Sequence, residues 1–325
     1  MHSRVKSDSI ALLMSSLPKT LLAFSVVVLL VWLCLGVGLG TWEPPQHIDE
    51  MIWQLRWPRV VVALMVGMAL AVSGAAMQAL FANPLADPSL IGTSSGAALG
   101  VVLVLAFGLG GLGVSLAAFL GAMAVCLLVL TVQHLLGAGR LGLLIIGFAI
   151  SAFCMAVVSL ILFVSDDMVL RSATNWLAGN LGSAGYVPLH YAGLTMLGGL
   201  LVMIAKARDL DILLLGDETA LSMGINVKRS RLWIVIGATL LTGAAVSLSG
   251  VIGFIGMMIP NVIASIWGGT RASIMWRSAI IGAVFLLLVD TFARSVVYPI
   301  DLPVGIVISL MGAPFFLWLF VKGIR

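Results

Sequence analysis

Long apolar runs separated by short polar segments make up most of the chain. Residues 21–40 and 60–80 are almost free of polar side chains, and residues 91–136 contain no Asp, Glu, Lys or Arg. The first two runs match the roughly 20 residues that a helix needs to cross the hydrocarbon core of a bilayer. The runs are continuous and do not alternate with a period of two, which favours helices over the strands of a barrel. The pattern therefore predicts an all-α transmembrane protein.

Ten membrane spans can be placed on this pattern. They are predicted near residues 21–40, 60–80, 91–108, 114–136, 141–165, 187–205, 232–250, 251–267, 277–298 and 303–321. The eighth span is short and contains Pro260, so we expect it to be broken or to cross only part of the bilayer.

Small residues at four-residue spacing predict where these helices pack most closely, because they line one helix face and let backbones approach. Two spans carry such a series: Gly67, Ala71, Ala75 and Ala79 in the second, and Gly92, Gly96 and Gly100 in the third.

The charged residues agree with the span count and orient it. Only 9% of the residues are charged and 61% are hydrophobic, whereas soluble domains carry about 25% charged residues. An even number of spans places both termini on one side. If that side is the cytoplasm, 13 of the 17 basic residues lie in inside segments and only Arg56, Arg59, Arg171 and Arg294 lie outside. This asymmetry is typical of cytoplasmic loops.

We therefore predict a multi-pass protein of a bacterial inner membrane, with both termini cytoplasmic and residues 1–20 as a cytoplasmic tail. The net charge of +4 is then the orientation signal and indicates no nucleic-acid partner.

The predicted spans carry few ionisable groups. Asp290 is the one acid inside a span, and it stands four residues before Arg294, so we interpret it as the partner of that arginine on one helix face. A proton-binding site is the alternative. No lysine follows a glycine anywhere in the chain, so a P-loop of the form G-x-x-x-x-G-K-[ST] is absent. The histidines and cysteines do not cluster, and we expect no catalytic residue, metal or cofactor in this chain.

The predicted cytoplasmic loop 206–231 is the longest and most charged connection. Asp217 follows Gly216 and can cap a short helix, with Glu218 in its first turn. The segment also offers an apolar face and a glycine to end the helix, formed by Ala220, Leu221, Met223 and Gly224. A capped amphipathic helix in this position favours docking of a partner protein, and a helix lying on the membrane surface is the alternative.

A series of short motifs runs from about residue 52 to the C-terminus. It comprises Leu55-Arg56-Trp57-Pro58-Arg59; Ser73-Gly74, Gln78 and Asn83-Pro84-Leu85-Ala86-Asp87-Pro88; Gly92 and Gly96-Ala97; Leu215-Gly216, Ala220 and Gly224; Gly253-Phe254-Ile255-Gly256 and Pro260; Asp290 and Ala293-Arg294; Leu302-Pro303-Val304-Gly305-Ile306; and Gly312-Ala313-Pro314-Phe315-Phe316. In order and spacing the set resembles the FecCD family, the permease subunits of type II ABC importers for ferric siderophores, haem and cobalamin.

The resemblance implies a single transmembrane permease domain over residues 1–325 that works by alternating access. It also implies a second copy or a homologous permease, a periplasmic substrate-binding protein, and two ATP-binding subunits that carry ATP and Mg. The loop 206–231 is then the cytoplasmic coupling loop, and the residues that couple to the ATP-binding subunit are Asp217, Glu218, Ala220, Leu221, Met223 and Gly224. Arg56, Arg59 and Arg294 match family arginines that meet acidic residues on the binding protein. Pro58 suits the first turn of the second span. Anchoring of these arginines to lipid headgroups is the alternative.

Two positions depart from the family pattern. Asn261 and Ser265 stand where the family usually has His and Arg, so an ionisable pair has become neutral. Ala138 and Gly139 stand where the cobalamin importers of the family have a Thr-Ser pair at the cytoplasmic gate, which predicts a less polar or wider gate.

The expected function is ATP-driven import of a metal chelate, a ferric siderophore first and haem or cobalamin next. Bulky preformed chelates need a wide pocket more than they need ligating side chains. A secondary carrier coupled to an ion gradient is the alternative.

Overall fold

A computed structural model describes residues 25–38, 41–109, 111, 113–182, 184, 189–297 and 300–324. Twelve helices are described: α1 (Ser25–Gly36), α2 (Glu50–Phe81), α3 (Thr93–Ala106), α4 (Val114–Leu135), α5 (Arg140–Val164), α6 (Asp167–Leu177), α7 (Leu189–Leu213), α8 (Asp217–Ser222), α9 (Val227–Ser249), α10 (Ile255–Trp267), α11 (Arg271–Val296) and α12 (Val304–Ile324). A small antiparallel hairpin of β1 (Val37–Gly38) and β2 (Thr41–Trp42) follows α1. Short 3-10 turns occupy Pro45–His47 and Pro88–Ile91.

The ten predicted spans each coincide with one apolar helix, which confirms the fold class. Among the described residues, six of these helices are long and apolar enough to cross a bilayer, namely α2, α4, α5, α7, α9 and α11. The helices α1, α3 and α10 are shorter, and α12 contributes the shorter apolar stretch Val304–Leu319. The ends of the first predicted span, residues 21–24 and 39–40, lie outside the described residues, as do residues 187–188 of the sixth. The eighth span is a short helix, as expected, and it begins at Ile255 because Phe254 adopts a left-handed φ of 68°.

Three boundaries differ from the predictions. α2 begins at Glu50, because the side chain of Asp49 accepts a hydrogen bond from the Met51 amide and caps the helix there. Pro58 is therefore inside α2, and its predicted place in a first turn is wrong. α7 continues to Leu213 and α9 starts at Val227, so much of the predicted 206–231 loop is helical. α6 lies between the fifth and sixth spans and was not predicted.

The centre of the bundle is formed by α2 and α9. In each of them 78% of the most apolar stretch is buried inside the protein, whereas in α5 the fraction is only 17%. Small residues allow the closest approaches, as their spacing predicted. A Cβ on Gly67 of α2 would clash with the Gly282 carbonyl of α11, and one on Gly96 or Gly100 of α3 would clash with the α4 backbone.

Candidate functional site

The residues predicted to be functional lie at opposite ends of this bundle. The Arg271 amide at the start of α11 donates a hydrogen bond to Oδ1 of Asp211 near the end of α7, at 2.8 Å, and α8 follows α7 directly. α11 is 26 residues long, which is about 39 Å at 1.5 Å per residue. Its far end carries Asp290 and Arg294 and meets the start of α2. We call Arg56, Arg59 and Arg294 the arginine cluster; it occupies the end predicted to be periplasmic.

Arg59 is held by two carboxylates of its own chain. Its Nε donates to Oδ1 and Oδ2 of Asp290 at 2.9 and 3.1 Å, and its Nη2 donates to Oδ1 of Asp290 at 2.8 Å. Its Nη1 and Nη2 also donate to Asp301 at 2.6 and 2.9 Å. The Asp290 side chain is fully buried, that of Arg59 is 12% exposed and that of Asp301 is 37% exposed. Such paired, charge-assisted bonds are the stronger kind of hydrogen bond.

The other two arginines of the cluster also have partners in the chain. Arg294 donates from Nη2 to the carbonyl of Cys34, and its Nε lies 3.9 Å from Oδ2 of Asp290. Arg56 is 8% exposed and donates from Nη1 to the carbonyl of Leu35 at 3.4 Å. Both arginines thus fasten the last turn of α1 to α2 and α11.

The predicted pairing of Asp290 with Arg294 is present but long, and Arg59 is the main partner of Asp290. Sequence reasoning missed Asp301 and the link from Arg59 to Asp290, which joins residues 231 positions apart. The predicted spans did indicate that Asp301 could approach these arginines. It lies in the predicted outer loop between the ninth and tenth spans, on the same side of the membrane as the arginine cluster.

The short helix in the predicted coupling loop is present as α8. Gly224, with a φ of 81°, follows its last turn, as expected. Asp217 does not cap it; the N-cap is Gly216, and the Asp217 carboxylate instead accepts two hydrogen bonds from Nη2 of Arg231 at 2.9 and 3.1 Å. The ion pair ties α8 to the first turns of α9.

The predicted apolar face of α8 is divided. Ala220 is fully buried against the bundle, whereas Leu221 and Met223 are 61% and 54% exposed. Leu221 and Met223 are exposed enough to contact a partner protein. Ala220 is not, because its side chain packs against the bundle.

The predicted gate residues lie in the connection between α4 and α5. The carbonyl of Ala138 accepts a hydrogen bond from Nε2 of Gln133 at 2.8 Å, and Gly139 is the N-cap of α5. Three leucines around this turn, Leu135, Leu136 and Leu141, are 69–77% exposed. The surroundings of the turn are therefore apolar, and its role as a gate stays a prediction.

Asn261, which stands where the family usually has a histidine, connects α10 to the loop after α2. Its Nδ2 donates to the carbonyls of Pro84 and Met257 at 2.6 and 2.8 Å, so it fastens α10 to the loop after α2. In the same loop Oδ1 of Asp87 accepts a hydrogen bond from the Ser89 amide at 2.9 Å. Burial raises the pKa of Asp87, and hydrogen bonding from Ser89 opposes this effect. Among the described residues, the hydroxyl of Ser265 donates only to the carbonyl of Val262 in its own helix.

Comparison with known proteins decides the family. The model of the FecCD transport family matches residues 20–322 of the chain. The chain belongs to the FecCD transport family. It is 41% identical over 324 residues to the hemin transport system permease protein HmuU of Yersinia pestis, with 94% of this chain and 96% of that protein covered.

Two further curated relatives carry different names. A probable iron chelatin transport system permease protein of Helicobacter pylori is 38% identical, with 86% of this chain and 85% of that protein covered. The vitamin B12 import system permease protein BtuC of Vibrio parahaemolyticus is 35% identical, with coverages of 91% and 92%.

A solved metal-chelate type ABC transporter in an inward-facing conformation has the same fold. It matches with a TM-score of 0.85 at 31% identity, covering 94% of this chain and 99% of that one. The chain is thus a multi-pass permease of a metal-chelate, haem or cobalamin type ABC importer, which confirms the resemblance found in its motifs.

Proposed function

We propose that this permease imports an iron chelate, haem or a ferric siderophore, from the periplasm to the cytoplasm by alternating access. The observation that carries the proposal is the full-length similarity to a hemin permease at 41% identity. The similarity to an iron chelatin permease at 38% supports the siderophore as the second candidate. Among the described residues no three His, Cys, Asp or Glu side chains are grouped to hold a metal ion, and a preformed chelate brings its own ligands.

The proposal includes the rest of the importer. ATP and Mg bind two separate ATP-binding subunits, which dock on α8 at the cytoplasmic face. A second copy of the chain, or a homologous permease, completes the pathway, and a periplasmic binding protein delivers the chelate. The permease chains lie in the inner membrane, with both termini of this chain in the cytoplasm. The excess of basic residues in the inside segments supports this orientation.

Uptake by the complete importer in proteoliposomes tests the substrate. We expect ATP inside the vesicles to drive accumulation of haem or of a ferric siderophore when the binding protein is supplied outside. Cobalamin and free ferric iron are the matched controls and should not accumulate. Uptake without ATP, driven by a proton or sodium gradient across the vesicle, would instead establish the secondary carrier.

We also propose that the binding protein docks at the arginine cluster. The acids that already pair with these arginines determine which substitution tests this. Asp290 and Asp301 form ion pairs with the cluster, and Glu43 lies close enough to Arg56 to interact with it electrostatically. If Arg59 is to pair with a carboxylate of the binding protein, Asp301 is the partner it can release, because Asp301 is partly exposed and Asp290 is buried. Asp301 therefore competes with the partner's carboxylates.

Replacing Asp301 with asparagine is expected to accelerate association with the binding protein. The change leaves Arg59 on Asp290 and removes the competing charge, and complementary charge at an interface acts mainly on the association rate. We expect an increase of about threefold to tenfold at low salt, decreasing as salt screens the charges. Surface plasmon resonance across salt concentrations measures it.

The matched control is Glu50→Gln. Glu50 is an exposed acid at the start of α2, the helix that carries Arg56 and Arg59, and in the described structure it contacts no arginine. Equal acceleration by both variants would show that only the net charge of this face matters, and would assign the arginine cluster to structure alone.

A further inference from the structure

A cavity of about 610 Å³ lies between α7 and α9 beside α8. Its walls come from the last turns of α7, from the first turns of α9 and from the connection 224–226 between α8 and α9. None of the residues predicted to be functional from the sequence lines it except Gly224. The cavity is open to the outside of the bundle, so a ligand could reach it from the membrane or the cytoplasm.

One rim of the cavity is basic. Lys206 and Arg229 both line it. Lys206 donates to Asp209 at 2.8 Å, which leaves two of the three ammonium donors available. Arg229 is exposed, and in the described part of the chain its guanidinium makes no hydrogen bond or ion pair. Asp209 is the only acid among the lining residues and is already engaged by Lys206 and by the Ser230 hydroxyl.

The opposite rim is apolar and carries a tryptophan. Leu201, Val202 and Trp233 line it, and Leu201 and Trp233 are 59% and 41% exposed. Tryptophan is enriched where a membrane meets water. The apolar residues belong to the predicted spans, which end at residue 205 and begin again at residue 232, whereas Lys206 and Arg229 lie just beyond them.

The dimensions fit the same boundary. From Leu201 to Asp209 the wall of the cavity runs along nine residues of α7, and the eight rises between them add up to about 12 Å. The headgroup layer of one leaflet is roughly 5–8 Å thick. With the predicted ends of the spans at residues 205 and 232 taken as the edge of the hydrocarbon core, the cavity extends from the headgroup layer into the acyl chains, and Lys206 and Arg229 lie on the headgroup side.

We propose that this cavity binds an anionic phospholipid of the inner leaflet. Lys206 and Arg229 hold the phosphate, and the first segment of an acyl chain lies against Leu201, Val202 and Trp233. Basic pockets between transmembrane helices on the cytoplasmic side are suited to anionic headgroups. Because the cavity adjoins α8, the bound lipid would support the helix on which the ATP-binding subunit is proposed to dock. The site does not depend on which chelate is carried.

Native mass spectrometry of the purified full-length chain tests the proposal. The protein is equilibrated in detergent with equal amounts of phosphatidylglycerol and phosphatidylcholine, and the retained lipids are counted. We expect one phosphatidylglycerol to be retained in preference to phosphatidylcholine. Arg229→Gln should weaken its retention about fivefold and the double variant with Lys206→Gln about twenty-five-fold, since each basic residue near an anionic headgroup contributes about a factor of five.

Two matched controls separate the cavity from general surface charge and bulk. Lys228→Gln removes the neighbouring exposed cation, which does not line the cavity, and should change retention less than about twofold. Ala205→Phe fills the apolar wall and should expel the lipid, whereas Ile204→Phe, one residue away and outside the lining, should not. Thermal unfolding of each variant shows that it is folded.

Three results would overturn the proposal. The first is equal loss of phosphatidylglycerol in Lys228→Gln and Arg229→Gln, which would indicate a diffuse charge effect. The second is unchanged retention in Ala205→Phe. The third is normal retention in the double variant together with lost binding of the ATP-binding subunit, which would assign the cavity to that protein. None of these measurements involves transport, so failure here is distinct from failure of the proposed import function.

Discussion

Replacing Asp290 with asparagine is expected to destabilise the fold by about 3–5 kcal/mol, the typical cost of removing one partner from a buried ion pair. The Asp290 side chain is fully buried and is the shared counter-charge of Arg59 and Arg294, whose side chains are only 12% and 10% exposed. The asparagine keeps the shape but leaves both guanidinium groups short of negative charge in a place that water reaches poorly. The connection of α11 to α2, and through Arg294 to α1, is then weakened.

Reversible unfolding in mixed detergent micelles measures this loss, with helix content followed by circular dichroism. Asp301→Asn is the matched control: it removes the second carboxylate on the same arginine, but at 37% exposure the pair is screened, and we expect a loss of about 1 kcal/mol or less. If the two variants unfold at the same denaturant concentration, the buried pair does not hold these helices together.

The partners of Asp290 show which contacts could be predicted from the sequence and which could not. The spacing of four residues on one helix made the pairing with Arg294 visible, because neighbours on a helix face follow from local geometry alone. The closer partner, Arg59, is separated from it by 231 positions. That contact depends on the Gly67–Gly282 approach of α2 to α11, which the small-residue spacing indicated for α2 without naming the helix it would meet.

The helices likewise include some that the sequence predicted and one that it missed. Spans were predictable because lipid requires long apolar runs, and those runs are plain in the sequence. α6 was missed because it is amphipathic and short, although Asp166 accepts a hydrogen bond from the Val169 amide and is a visible N-cap. α8 was located correctly, but Asp217 was given the wrong contact: its carboxylate binds Arg231 in α9, and a distant arginine outcompeted the local cap.

Replacing Met223 with glutamate is expected to abolish co-purification of the ATP-binding subunit. Leu221 of α8 and Met223, the C-cap of that helix, are large apolar side chains with more than half their surface exposed, and the proposal places them at the centre of the docking surface. Central apolar residues of an interface commonly cost about 2 kcal/mol or more when lost, which corresponds to about a thirtyfold weaker complex. A glutamate adds the cost of burying an unpaired charge. The measurement is affinity purification of the tagged permease from membranes, followed by quantification of the bound ATP-binding subunit.

Met223→Leu is the conservative control and should retain the subunit, because it preserves an apolar side chain of similar volume. Ala220→Glu would be a misleading test, since Ala220 is fully buried under α8 and the variant would displace the helix from the bundle. A loss of the subunit in Met223→Glu with an unchanged unfolding midpoint therefore identifies a contact and not a folding defect. If Met223→Glu and Leu221→Glu both co-purify the subunit at the normal level, α8 is not the docking helix, and the membrane surface becomes the better explanation of its exposed apolar side chains.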